Sequence, residues 1–243
     1  MTTLLLVRHG ATDWNVQGRL QGATDVALSP VGVEQVRRLR SLVTAWAPDA
    51  VVASPLSRAA ETARLLVGEP PLLDPRLAEV GLGAWEGRTS IELGDAARAW
   101  RRGELVPPGG EQPDVARARV LGALAAAAAL GEVVLVVTHG GVVRAALDAL
   151  VGLATRHIAP VPPASLTVVD LGGEGDVPRL RALGIVAQPA AEAGDAADAG
   201  ADAGTLRPVG AADAAAAPLD ADADADANAN ANANARMMRL TGG

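Results

Sequence analysis

The sequence predicts an α/β fold: a three-layer sandwich with a mostly parallel sheet, helices on both faces and an antiparallel edge hairpin. Three observations carry that prediction. Residues 3–8 (TLLLVR) and 133–138 (VVLVVT) are short, nearly continuous apolar runs, the pattern of strands buried on both faces. Strand-like runs alternate with helix-like stretches along the chain, which implies a parallel sheet covered on both sides. The last two runs, 165–170 and 179–183, flank GGEGDVP, a turn signal that predicts an antiparallel hairpin.

In chain order, the first strand covers 3–8. Ser29-Pro30 reads as the N-cap and first position of a helix whose Val33, Val36, Leu39, Val43 and Trp46 recur at helical spacing. A strand follows at 49–53. Ser54-Pro55 then opens a second helix, SRAAETARLLV. Residues 81–113 read as irregular and rich in Gly and Pro, a long excursion of the kind that covers active sites. An Ala-rich third helix runs over 114–130 and stops at Gly131. The strand 133–138 precedes a fourth helix over 141–151, and the hairpin closes the domain.

Composition breaks near residue 187, dividing the chain into a folded domain, 1–187, and a low-complexity tail, 188–243. The tail holds three Arg against nine Asp or Glu, so the net charge of −7 falls almost wholly there and 1–187 carries only −1. Its alternation of Ala with Asp or Asn offers nothing large to bury, so disorder is expected, either as an inert extension or as a partner-binding tail. About 187 residues suit one domain with a sizeable core. The chain has no Cys, which excludes disulfides, thiolate catalysis and Cys-based zinc sites. No basic stretch points to nucleic acid. No apolar run approaches the roughly 18 residues of a membrane span, and the start, MTTLLLVRHG, reaches charge too early for a signal peptide, so a cytoplasmic protein is expected.

The chemistry lies at the strand ends. Both 3–8 and 133–138 run into His-Gly, so His9 and His139, two of only three histidines, are expected at one rim of the sheet, where open α/β sheets bind ligands. Arg8 precedes His9, and Arg58 falls on the first turn of a helix. Arginine offers a fixed cation and a planar fork of donors suited to phosphate oxygens, and helix N-termini add N–H groups. An imidazole beside arginines stays neutral and nucleophilic, and a nearby carboxylic acid can protonate a leaving alkoxide. These parts favour phosphoryl transfer through a phosphohistidine. A zinc pair is the alternative for the two histidines, but no third ligand has suitable spacing. His157, near a helix end, reads as a capping or surface residue.

Five ordered motifs, RHGATDWN, GRLQG, SPLSRAAET, the Glu79 stretch LAEVGLGAWEG and VTHGG, resemble the histidine phosphatase superfamily, the phosphoglycerate-mutase-like group, over residues 3 to about 187. The resemblance implies that His9 is the phosphorylated nucleophile and that Arg8, Arg58 and His139 form the phosphate pocket. It implies that Glu79 is the proton donor, with Glu86 as its rival. Thr12, Asn15, Gln21, Gly22 and Gly140 would line the substrate mouth. No metal and no cofactor is implied. The partner would be a small phosphate ester, with a homodimer one option for assembly. Short spacing over 81–113 and the GRLQG motif favour a phosphatase over a mutase. A non-catalytic phospho-ligand or protein-binding module on the same scaffold is the rival class. PPGGEQ departs from the family at Gln112, where relatives commonly carry Ser.

Overall fold

Strand β1 (Thr3–Arg8) lies at the centre of a six-stranded sheet in the computed structural model, which describes residues 1–173 and 175–187. After it come α1 (Asp13–Val16), α2 (Pro30–Thr44), β2 (Ala50–Ala53), α3 (Ser57–Val67) and β3 (Leu72–Leu73). The excursion holds α4 (Ser90–Leu93) and α5 (Asp95–Arg101). The chain continues through α6 (Pro113–Ala128), β4 (Val133–Thr138), α7 (Gly140–Val151), β5 (Ser165–Asp170) and β6 (Arg179–Val186). The sheet order is β3-β2-β4-β1-β5-β6. The first four of these strands are parallel, and β5 and β6 run antiparallel at one edge.

Alternation along the strands divides the core into two layers. Leu4, Leu6, Val134 and Val136 pack against Val120 and Leu124 of α6 and Val143 and Leu147 of α7. Leu5, Val7, Leu135 and Val137 face the other way, onto Val36 and Leu39 of α2 and Ala63 and Leu66 of α3. This is the sandwich the apolar runs predict, with helices on both faces. The hairpin stands at the expected edge, with β6 extending to Val186.

Four local features differ from the sequence reading. Ser54-Pro55 does not open α3. The helix starts at Ser57 behind an extended Leu56 that gives no side-chain cap, and the capping oxygen comes from Asp25, whose Oδ1 accepts from Ser57 N (2.9 Å) and Oγ (2.7 Å). Strand β3 has no signature in the sequence: two residues give no periodicity, and Leu72 and Leu73 are 59% and 56% exposed. The region 81–113 is not wholly irregular, since α4 and α5 lie within it. Helix α6 ends at Ala128, short of Gly131, and Gln112 at its N-cap makes no side-chain cap bond. The disorder expected for 188–243 lies outside the described residues. Among the described residues no helix is long and apolar enough to cross a membrane.

Candidate active site

Parallel register builds the rim. Arg8 pairs with Thr138 and Ala53 with Val137, so β1, β4 and β2 release His9, His139 and Ser54 at one edge of the sheet. The His9 amide donates to the Thr138 carbonyl (2.9 Å), and the Ser54 amide to that of Val137 (3.0 Å). The two imidazoles meet at 5.1 Å between centroids, inclined by 61°. Both are buried. His9 Nδ1 lies 2.7 Å from the Gly10 carbonyl oxygen. A carbonyl only accepts, so the neutral ring carries its proton on Nδ1 and its lone pair on Nε2. His139 Nε2 lies 2.8 Å from Ser54 Oγ.

Electrostatics keep these rings uncharged. Burial pushes His9 well below the ordinary histidine range, and Arg8 and Arg58 push it further, against a smaller opposing effect of the bond to Gly10. Burial does the same to His139, helped by His9, Arg58 and Arg8. The arginines show the reciprocal strain. Burial lowers Arg8 to about 10, with Glu79 opposing and Arg144 and Arg58 contributing. Burial also lowers Arg58, against Glu79, Asp25 and Glu86.

Arg58 is 0% exposed and is held by backbone. Its Nη1 donates to the Thr24 carbonyl (2.8 Å) and its Nη2 to that of Gly22 (2.9 Å). Thr62, one turn on, accepts from the Gly10 amide (3.1 Å) and donates to the Arg58 carbonyl (2.7 Å), tying α3 to the loop after His9. Arg8 donates through Nη1 to the Val161 carbonyl. Its guanidinium lies along Gly140, where a Cβ would stand 3.4 Å from Nε. Four buried polar atoms have no partner among the described residues: Arg8 Nε, Arg58 Nε, His139 Nδ1 and Gln21 Oε1. All four belong to residues singled out from the sequence. Unpaired buried donors are rare in folded proteins and require an explanation. A phosphoryl group would satisfy the two guanidinium donors.

Glu79 joins this rim. Its carboxylate accepts from Val80 N (2.9 Å) and from Gly141 N (3.2 Å) in the first turn of α7, the helix that His139 caps. Glu86, its rival, sits elsewhere in the architecture. It accepts from Leu82 N, Ala23 N and Thr24 N (3.0 Å each) and from the Thr24 hydroxyl. Gly22, at φ +53°, has no room for a side chain because a Cβ would overlap Glu86 Oε1. Glu86 therefore pins the 22–24 loop, whose carbonyls hold Arg58, to the 81–113 excursion. The same seam includes Leu20 N to Arg88 O (2.9 Å) and Gly87 N to Leu20 O (2.8 Å).

Burial raises the Glu86 pKa, but the bonds from Thr24 and the backbone of Leu82, Ala23 and Thr24 outweigh it and leave the carboxyl below its ordinary 4.5. A lowered carboxylate stabilises the fold above the unfolded pKa, and that stability disappears as pH falls through the folded value. Glu86→Gln is thus expected to cost about 1–2 kcal/mol at pH 7, the lower end for charge-assisted bonds because the group is half-exposed. The gap to wild type should begin to close only as pH falls below 4.5 and through the folded value. Urea unfolding at pH 7 and in acid measures it.

The residues beyond this cluster divide. Thr12 and Asn15 form a capping box on α1, which occupies Thr12 Oγ1 and Asn15 Oδ1. Gln21 is buried in the loop beside Gly22. Arg88, Arg98, Arg101 and Arg102 are exposed on the excursion, with Arg102 paired to Glu104 (2.7 Å) and Arg98 to Asp95. His157 is exposed, in a short 3-10 turn. Trp85 is buried edge-on against Trp100 (6.0 Å), and Trp14 covers Gly87. Among the described residues no group of three or more His, Cys, Asp and Glu is placed to hold a metal ion. Sequence reasoning assigned Ser54 only a helix-capping role and gave Glu86 only the rival acid role. The packing of both is long-range and leaves no local pattern.

Comparison with known proteins places this geometry. Residues 4–184 match the model of the "Histidine phosphatase superfamily (branch 1)". The chain is 35% identical over 167 residues to a glucosyl-3-phosphoglycerate phosphatase of Mycolicibacterium vanbaalenii, covering 62% of this chain and 74% of that protein. It is 34% identical over 166 residues to a "Probable phosphoglycerate mutase GpmB" of Enterobacter sp. (strain 638), covering 63% and 76%. Among solved structures, mycobacterial glucosyl-3-phosphoglycerate phosphatase with VO3 superposes with a TM-score of 0.70 at 31% identity, over 76% of this chain and 99% of that one. A mutant phosphoserine phosphatase from Entamoeba histolytica, in complex with phosphoserine, superposes with a TM-score of 0.66 at 26% identity, over 76% and 97%.

Proposed function

The chain belongs to the histidine phosphatase superfamily, branch 1, and from that premise we propose that it hydrolyses small phosphate monoesters through a phosphohistidine on His9, without a metal. The observation that carries this reading is the pairing of a neutral His9, its Nε2 lone pair without a partner among the described residues, with His139 at 5.1 Å inside a pocket that also holds Arg8 and Arg58. The Nε2 lone pair attacks phosphorus. The ester P–O bond breaks, and Glu79 in its protonated form gives its proton to the departing alkoxide. Water then attacks the phosphoryl group, Glu79 takes the water proton, and the N–P bond breaks to release inorganic phosphate. Arg8 and Arg58 supply fixed positive charge to the oxygens throughout, which is where most of the acceleration of phosphoryl transfer arises.

Hydrolysis is favoured over phosphoryl return by the excursion, whose arginines are exposed, with Arg98 and Arg102 engaged by neighbouring carboxylates. The likeness to a phosphatase that acts on glucosyl-3-phosphoglycerate supports the same direction, while the likeness to a protein called a mutase keeps isomerisation as the second outcome to be measured. The test is a panel of phosphomonoesters assayed with EDTA present, followed by 31P NMR. Hydrolysis yields inorganic phosphate equal to the alcohol released. A mutase returns the ester with its phosphate on another hydroxyl. Activity that EDTA abolishes and added metal restores would overturn the metal-free mechanism.

Glu79→Gln can keep one of the two bonds, from Val80 N or from Gly141 N, because its amide NH2 cannot accept, and it removes the proton donor. General acid help contributes about 10²–10⁴, so turnover of esters with poor leaving groups should fall by that factor. An aryl phosphate with an acidic phenol needs no proton, so its first step should be spared. The ratio of the two losses, read from rapid-quench kinetics, separates Glu79 as acid from Glu79 as scaffold.

A further inference from the structure

The two imidazoles of the pocket must do opposite things, one attacking and one donating, and the rim holds a hydroxyl placed to tell them apart. We infer that Ser54 fixes the tautomer of His139, holding its Nε2 as an acceptor so that Nδ1 presents an N–H to the bound phosphoryl group. This assignment rests on the function proposed above for its consequence, but its chemistry stands on hydrogen-bond geometry alone.

Ser54 Oγ has two partners among the described residues. The Leu56 amide lies 3.3 Å away and only donates, so Oγ accepts from it. His139 Nε2 lies 2.8 Å away. The hydroxyl has one proton, and Nε2 is the one acceptor in contact with it. Were Nε2 protonated and donating, the serine proton would be left without an acceptor at a residue that is 0% exposed. The hydroxyl therefore donates to Nε2, and the neutral ring carries its proton on Nδ1. That nitrogen is buried and has no partner among the described residues, so its N–H is left for substrate. His9 reaches the same tautomer by another route, through the Gly10 carbonyl on Nδ1, and so leaves Nε2 as a lone pair. One tautomer, tied from opposite ends of the ring, gives one nucleophile and one donor. Ser54 is thus a positioning residue that acts through His139. The Pro55-Leu56 segment, extended at Leu56, delays α3 to Ser57 and brings the Leu56 amide onto Oγ.

The test is long-range 1H–15N NMR of the full chain labelled at histidine, without ligand. Three histidines make assignment by His9→Gln and His157→Gln direct. Wild type is expected to show His139 protonated on Nδ1. Ser54→Ala should shift the population toward Nε2–H, and Ser54→Thr should restore it. Functionally, Ser54→Ala should weaken competitive inhibition by inorganic phosphate by about tenfold, with the Thr variant recovering it. A wild-type Nε2–H tautomer overturns the proposal, even if Ser54→Ala fails to fold. So does an unchanged His139 spectrum in a folded Ser54→Ala protein. If the tautomer responds as expected but wild type hydrolyses no ester in the panel, the function is wrong and the tautomer assignment stands.

Discussion

His9→Ala is expected to lower phosphate release by a factor of about 10⁴–10⁶, the scale seen when a covalent nucleophile is removed from a group that works as a unit. The acid-labile phosphate that a rapid quench should trap on wild type should be absent. Inorganic phosphate should still bind, because Arg8, Arg58 and the N-terminal end of α7 do not depend on the ring. That combination, binding without turnover, distinguishes loss of a nucleophile from collapse of the pocket. Full activity in the variant would refute the assignment of His9.

The same residue sets an unusual pH profile. An ordinary histidine nucleophile would be switched off by protonation as pH falls through about 6.5. Burial and two arginines hold His9 well below that value, so kcat/KM should stay level from pH 7 to 6 as far as this ring is concerned. Stability should not stay level. The sign follows from proton counting: below 6.5 the unfolded chain takes up protons on His9 and His139 that the folded chain refuses, so stability is complete above 6.5 and falls as pH drops. The limiting slope is about 1.4 kcal/mol per pH unit for each ring. Chemical denaturation across pH 4–7, compared with enzyme assays over the same range, separates the two responses.

How much of this was legible beforehand depended on whether the responsible interaction is local. TLLLVR and VVLVVT announce β1 and β4 because burial on both faces demands unbroken apolar runs, and parallel strands release their following residues at a common rim. His9, His139, Arg8 and Arg58 could therefore be brought together from the sequence. β3 could not, since two exposed leucines held only by β2 leave no pattern. α4 and α5 are too short for helical periodicity to register, although Thr89 and Glu92 form a capping box that the TSIE segment spells out. At Ser54 the local signal and the structure part. Ser-Pro is a sound local signal for a helix start, but the hydroxyl is taken by an imidazole 85 residues away, and Asp25 reaches across 32 residues to supply the cap instead. Local propensity lost to tertiary chemistry at the site itself, where function most often overrides it.

Arg58→Met should separate what this pocket does for activity from what it does for the fold. The substitution preserves length and apolar stem and removes the guanidinium. Phosphate affinity and kcat/KM should each fall by about 10²–10³, because a preorganised, water-excluded donor is lost from the oxygens that carry the transition-state charge. The stability change should be far smaller. Two carbonyls, Gly22 and Thr24, lose their partner, a cost of about 1–3 kcal/mol for each group left unsatisfied. Against that stands relief of burying a cation beside another: Arg8 is itself lowered to about 10, in part by Arg58. Replacing buried charge by an apolar side chain of similar volume is often neutral or stabilising. The net expected change is within about 2 kcal/mol of wild type, measured by urea unfolding. The histidines report the same removal independently. Arg58 lowers both rings, so in the variant both should protonate at higher pH, visible by NMR titration, and His9 should begin to lose nucleophile nearer neutrality. A variant as active as wild type would show that Arg58 only holds the 22–24 loop. A variant that unfolds would show that the loop carbonyls, rather than the phosphate, are what the guanidinium is there to satisfy.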